Sequence, residues 1–371
     1  MILRLFSLLL SVLSPWLAVA SVVILGAFSY RARLRRRLAH AHRIALERGI
    51  DEELMLELGG LRQYVNIRGH DVRNPVILYL HGGPGGPFTP VMHKYQFGWE
   101  RDYTVVNWDQ RNAGRTYLLN KAQAEQVRET LTADRLIEDA RELVLYLRER
   151  FGQEKIIIMG HSWGSVLGSM FAQRYPAWTR AFVSIAQVVQ LHDGAARMAE
   201  DVRQLALSRG AERDAAAAER LADRLRRDFK TTEQTTAKLH KLAAKHHPYK
   251  PDPLLFLKAG SVSPTFSFKQ LVYFARRDRL QAPLTDFLST FDLRTRSPVY
   301  EVPVIVMLGE YDMPYRKPME SCYPSIQAPL KQLHVIEGAG HDVMLEQPEE
   351  FERALREALS DILQAEPKRS V

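Results

Sequence analysis

A single cysteine, Cys322, among 371 residues excludes a disulfide within the chain, so packing and hydrogen bonding must hold the fold. The redox compartment is left open. No Gly-Lys-Ser or Gly-Lys-Thr follows the glycine-rich stretch His81-Gly82-Gly83-Pro84-Gly85-Gly86-Pro87, which excludes the usual phosphate-cradling loop. His246-His247 lacks a cysteine or carboxylate set at ligand spacing, so neither a metal nor another cofactor is expected. Apart from the short run Ala215 to Ala218, the chain has no low-complexity tract, and no internal repeat divides it.

Charge is missing from Leu5 to Phe28. At about 1.5 Å per residue, a helix of that length reaches the thickness of a bilayer core. Arg4 precedes the stretch, and Arg31, Arg33, Arg35, Arg36 and Arg37 follow it, which predicts a membrane anchor over residues 1–30 with the rest of the chain cytoplasmic. The alternative is a signal peptide cleaved after Ala18-Val19-Ala20, with export. Cleavage there leaves Ser21-Val22-Val23-Ile24-Leu25 close to five arginines, an awkward mature terminus. Residues 31–53 read as a basic juxtamembrane helix or linker, helical from Leu38 to Gly49, with its basic face on anionic lipid or in water. The formal net charge of +8 is concentrated beside this segment and no recognition motif accompanies it, so no nucleic-acid partner is expected.

What is present is a strand-and-helix alternation. Alternating residues from Leu54 to Ile67, with Gly59-Gly60 between them, predict an opening hairpin. Then come short apolar runs at Val76–Leu80, Tyr103–Asn107, Lys155–Met159, Phe182–Ile185, Val304–Leu308 and Leu333–Ile336. Such runs suit a parallel sheet covered on both faces. A helical pattern over Thr132–Phe151 lies among them, and the whole implies an α/β, doubly wound, mostly parallel sheet. From Gln187 to Ser297 the chain is rich in Ala, Arg and Lys and holds no convincing strand, with Pro248, Pro251 and Pro253 marking a loop. The expected organisation is therefore a core of residues 54–186 and 298–365, interrupted by a helical cap over residues 187–297.

Gly160-His161-Ser162-Trp163-Gly164 sits between a strand and a helix-like run, Val166–Tyr175. That context suits a nucleophile elbow, where a serine occupies a strained turn and glycines two residues either side avoid its neighbours. The backbone N–H groups of Gly83, after Val76–Leu80, and of Trp163 are the candidate oxyanion donors. Downstream, Gly309-Glu310-Tyr311-Asp312 and Gly338-Ala339-Gly340-His341 each follow a strand. Ser162, Asp312 and His341 thus arrive in the order nucleophile, acid, base, with Glu310 and Asp342 as weaker acid candidates. His81 and His161 belong to these motifs as loop-shaping residues.

Together with Asp109-Gln110-Arg111-Asn112-Ala113-Gly114-Arg115-Thr116, these motifs resemble, in order, those of the proline iminopeptidase group of α/β-hydrolases. The resemblance covers roughly Leu54 to Ala186 and Val302 to Leu359. It implies a serine hydrolase with a helical cap, acting through an acyl-enzyme on a small ester, an amide or a short peptide. Members that remove N-terminal proline carry Trp-Glu-rich cap segments for the substrate ammonium group, whereas residues 187–297 hold no tryptophan. Aminopeptidase and carboxylesterase activities, and a non-catalytic ligand-binding role, remain open. Asp109 and Arg111 read either as substrate contacts or as a buried ion pair fixing the loop beside the oxyanion donors.

Overall fold

The computed structural model describes residues 2–364 apart from 229, 230, 251 and 253, and no side chain of residues 2–18 or 233. Pro251, Pro253 and residue 365 therefore lie outside the described residues, as do the side chains of the first half of the expected anchor.

Eight strands form one sheet: β1 (Ile50–Leu58), β2 (Leu61–Gly69), β3 (Val76–Leu80), β4 (Thr104–Trp108), β5 (Ile156–His161), β6 (Thr179–Ile185), β7 (Val304–Gly309) and β8 (Lys331–Ile336). Their spatial order is β1-β2-β4-β3-β5-β6-β7-β8. The β1–β2 and β2–β4 pairings are antiparallel, and all the others are parallel. Each apolar run of the sequence forms a strand, and all of them except the one in β8, a half-exposed edge strand, are covered on both faces. Val76, Leu78 and Leu80 join the core beneath the helices Ala133–Phe151 and Trp163–Arg174, while Ile77 and Tyr79 face the core closed by Pro348–Gln364. The helix Ala133–Phe151 starts where the Thr132 side chain accepts the N–H of Arg135, and it ends at Gly152, whose φ of 61° suits a left-handed cap.

The opening hairpin begins at Ile50, four residues before the expected Leu54, within the stretch assigned to the linker. Asp51, Glu52 and Glu53 hid it. On an edge strand one face meets water, so charged residues alternate with packed ones without breaking the ladder.

A second correction concerns Leu38–Gly49. One helix runs from Ile2 to Ala41, across the boundary expected at residue 30, and residues 42–49 are not helical. Tertiary contacts end it. The carbonyl of His42 accepts from the Arg68 guanidinium, and its ring stacks on Phe97 at 3.4 Å between centroids. Among the described residues, no helix is long and apolar enough to cross a membrane.

Between β6 and β7 the described residues form helices and no strand. Three of them, Leu191–Ser208, Glu212–Arg227 and Thr232–His246, share a small core of Ala195, Met198, Ala199, Val202, Leu225 and Leu239 with their neighbours. Alanines let these helices approach closely. The first of these helices lies against the segment after β7, where Lys317 pairs with Asp201 and a Cβ on Gly194 would stand 2.3 Å from the Pro314 carbonyl oxygen.

Candidate active site

Ser162 stands directly after β5 at φ 53° and ψ −118°, a conformation that strains any residue but glycine. The helix that follows starts at Trp163, three residues earlier than expected, so Ser162 abuts its N-terminus. The flanking glycines are sterically required. A Cβ on Gly160 would stand 2.1 Å from the Gly164 carbonyl oxygen, and one on Gly164 would stand 1.9 Å from that of Leu80.

The loop after β3 crosses this elbow. A Cβ on Gly82 would lie 3.1 Å from the Ser162 Cβ, and Gly83 holds a φ of 116°. His81 is locked in place, accepting the Gln110 N–H at Nε2 while its own carbonyl accepts from the Gln110 side chain. Burial keeps it neutral, lowering its pKa to about 4. The cap adds a clamp, since the Tyr273 hydroxyl donates to the Gly85 carbonyl.

Asp312 follows β7 and His341 follows β8, and Nδ1 of His341 meets Oδ2 of Asp312 at 3.0 Å. Two backbone features set this pair. Tyr311 N–H donates to the Ala339 carbonyl at 2.8 Å, and a Cβ on Gly309 would meet the Gly340 carbonyl oxygen at 2.0 Å, so the two loops cross in close contact. Asp312 is buried, whereas the His341 side chain keeps 32% of its exposure. Burial opposes charge on His341, but the Asp312 carboxylate and its hydrogen bond, with Asp342 and Glu346 behind them, outweigh it and raise the pKa to about 9.

His161 joins the two halves of the site. Its Nε2–H donates to the His341 carbonyl at 2.9 Å, and the two rings lie 4.9 Å apart. Burial lowers its pKa to about 3, so it stays a neutral spacer. The structure thus gathers Ser162, His341, Asp312, Gly83 and Trp163 around the ends of β3, β5, β7 and β8, where open α/β sheets build their sites.

Four sequence candidates have other partners. Glu310 turns away from His341, its carboxylate accepting the Gly338 N–H at 3.0 Å. Asp342 lies 3.9 Å from His161 Nε2, and burial pushes it up to about 6. Asp109 and Arg111 are both buried but do not pair. Arg111 binds Asp139 at 2.7 Å and the carbonyls of Leu58 and Gly59, while Asp109 accepts from Thr89 and the Arg115 N–H. Two positions apart in a turn, they point to opposite sides.

Several residues of the site escaped the sequence reading. The Glu346 carboxylate accepts the N–H of Gly340 at 2.7 Å and of Asp342 at 3.2 Å, bracketing His341. A glutamate one turn into a helix and bonded back to its entry is like half of a capping box, but it stands four residues after Asp342 instead of three, so the usual pattern does not mark it. Tyr315 stacks on His341 at 4.6 Å between centroids, and the cap's His240 lies near enough to feel its charge. Nothing local marks either one. Among the described residues no group of His, Cys, Asp or Glu is placed to hold a metal ion.

A family model described as the alpha/beta hydrolase fold matches residues 75–348. A probable aminopeptidase of Bacillus subtilis (strain 168) is 27% identical over 307 residues, which is 81% of this chain and 93% of that protein. Among solved structures, a proline iminopeptidase-related protein of Thermus thermophilus superposes with a TM-score of 0.58 at 24% identity, covering 85% of this chain and all of the other. The proline iminopeptidase of Mycobacterium smegmatis gives a TM-score of 0.60 at 21% identity, with the same coverages.

Proposed function

Since the chain belongs to the α/β-hydrolase fold family, we propose that it is a serine hydrolase of the proline iminopeptidase-like group in which Ser162, His341 and Asp312 hydrolyse an ester or amide through an acyl-enzyme. Ser162 Oγ attacks the carbonyl carbon as its proton passes to His341 Nε2, and Asp312 stabilises the imidazolium. The N–H groups of Gly83 and Trp163 receive the oxyanion, each contributing ~3 kcal/mol to the transition state. His341 then protonates the departing alkoxide or amine, and water repeats the sequence on the acyl-serine. The observation that carries the reading is the 3.0 Å His341–Asp312 contact, tied through the His161–His341 hydrogen bond to a serine held at φ 53°.

Purified enzyme should bind a fluorophosphonate covalently at Ser162, and Ser162→Ala should lose both labelling and turnover. An unreactive Ser162 in folded protein would instead favour a ligand-binding role.

The relatives' names point to release of an N-terminal residue, proline among them, from a short peptide. A second reading, a small carboxylic ester, is favoured by the cap's acidic side chains. Glu200 pairs with Arg203, Asp201 with Lys317, Asp214 with Lys245 and Asp252 with Lys258, so these carboxylates are already engaged. Comparing a prolyl amide with an uncharged acyl ester separates the two, because only the amide gains from a carboxylate kept for its ammonium.

We also propose that residues 5–28 anchor the protein in a membrane, with the catalytic part on the arginine-bearing, cytoplasmic side. In support, the same helix continues through them, and Val19, Val22, Val23, Ile24, Leu25 and Phe28 are all more than half exposed, apolar on every face. The chain should stay with the membrane fraction after an alkaline carbonate wash. Recovery of a mature protein beginning at Ser21 would overturn this.

A further inference from the structure

The N-terminal helix leaves the protein along the cap, beside an apolar face. Arg31 Nε donates to the Ser261 carbonyl at 2.6 Å, and Arg35 Nη2 donates to the Pro264 carbonyl at 2.7 Å. The Arg31 guanidinium lies 4.3 Å from the centre of the Phe268 ring, whose edge meets Phe28 at 6.0 Å between centroids. These contacts bring the segment 261–268 alongside the point where the helix changes from apolar to basic. Around that segment the cap exposes Leu254, Phe256, Leu257, Phe268, Leu271 and Val272, each between 40% and 66% accessible. Large apolar side chains clustered this way are uncommon on a monomer surface in water.

We propose that this face of the cap is itself seated in the bilayer, a monotopic contact beside the anchor and resting on the anchor reading above. Three observations select lipid as the occupant. The face is continuous with the apolar residues 19–28 through Phe28 and Phe268. Arg33, Arg36 and Arg37 are exposed within the next three turns of the helix, at the level where anionic headgroups would lie. Arg31 and Arg35 are tied to cap carbonyls, which holds the cap against the helix at that depth. The seat also faces the reaction centre, because Phe256 packs on Phe88 at 5.4 Å and Phe88 on His161 at 5.2 Å. An apolar acyl substrate entering from the bilayer meets aromatic rings up to the neighbour of Ser162.

The test uses the full chain in vesicles of phosphatidylcholine and phosphatidylglycerol, with a polarity-sensitive dye on Leu257→Cys, Leu271→Cys or Glu154→Cys. Cys322 is buried, and the unsubstituted protein serves as the labelling blank. Fluorophosphonate reaction at Ser162 checks that each variant is folded. Emission from positions 257 and 271 should shift to the blue and be lost to spin-labelled lipid, while position 154, exposed before β5 at the opposite end of the sheet, should remain water-like. A chain that sediments with vesicles while 257 and 271 behave like 154 overturns the seat alone. A chain that fails to sediment with vesicles overturns the anchor, and the seat with it.

Discussion

The Tyr249 hydroxyl, contributed by the cap, donates to the carboxylate of Glu346, the same group that accepts the N–H groups on either side of His341. One carboxylate thereby couples the position of the cap to the orientation of the imidazole. It also adds negative charge behind the ring that the proposed mechanism protonates in mid-reaction.

That charge has a pH signature. His341 acts as a base only when neutral, so kcat/KM should rise with pH through its pKa, and Asp312, Asp342 and Glu346 hold that pKa above the ordinary 6.5. Removing a negative neighbour lowers the pKa of an imidazolium. Glu346→Gln should therefore move the acid limb of the pH–rate profile towards lower pH, and an unmoved limb would count against the assignment.

The clamp on the glycine loop should show in kcat. Tyr273→Phe removes the donor to the Gly85 carbonyl, a hydrogen bond of about 1 kcal/mol, and loosens the loop that carries the Gly83 donor. Turnover should fall by about fivefold with KM little changed, because the loss is felt where the oxyanion forms.

Steric demand at the elbow is testable by stability. Gly164→Ala drives a methyl group into the backbone of β3, 1.9 Å from the Leu80 oxygen, and should cost about 3 kcal/mol or more in chemical denaturation. Gly260→Ala, with no atom within 4 Å of its added carbon, should be neutral or mildly stabilising.

Arg111 holds the turn of the β1–β2 hairpin to the helix Ala133–Phe151 through Asp139, which is fully buried. Arg111→Met leaves that carboxylate with Arg135 and Gln63 as its remaining partners, and should cost about 3 kcal/mol. The double variant Arg111→Met/Asp139→Asn should recover part of the loss. Additive single effects in the double-mutant cycle would show that the two side chains do not interact.

Much of the site was legible because its signals are local. Gly160-His161-Ser162-Trp163-Gly164 announces the elbow within five residues, Gly160 being dictated by the backbone of Gly164, although Gly164 in turn answers to the distant carbonyl of Leu80. Strands β3 to β7 were legible because burial on both faces leaves uninterrupted apolar runs. Where one face meets water the signal faded, which is why β1 began earlier than Leu54. The helix expected over Leu38–Gly49 went wrong for a related reason. Arg68 and Phe97, both distant in sequence, capture His42 and end the helix at Ala41.

The amino-acid order alone determined the class of fold, the serine at its turn and the carboxylate and imidazole on later strand ends, because strand periodicity and turn chemistry act over a few residues. Only tertiary packing decided which charges pair. Arg111 took Asp139 rather than its neighbour Asp109, and Glu346 met a tyrosine 97 residues away. Such choices depend on where side chains point once helices cover the sheet, and that direction is a property of the assembled layers, not of any one segment.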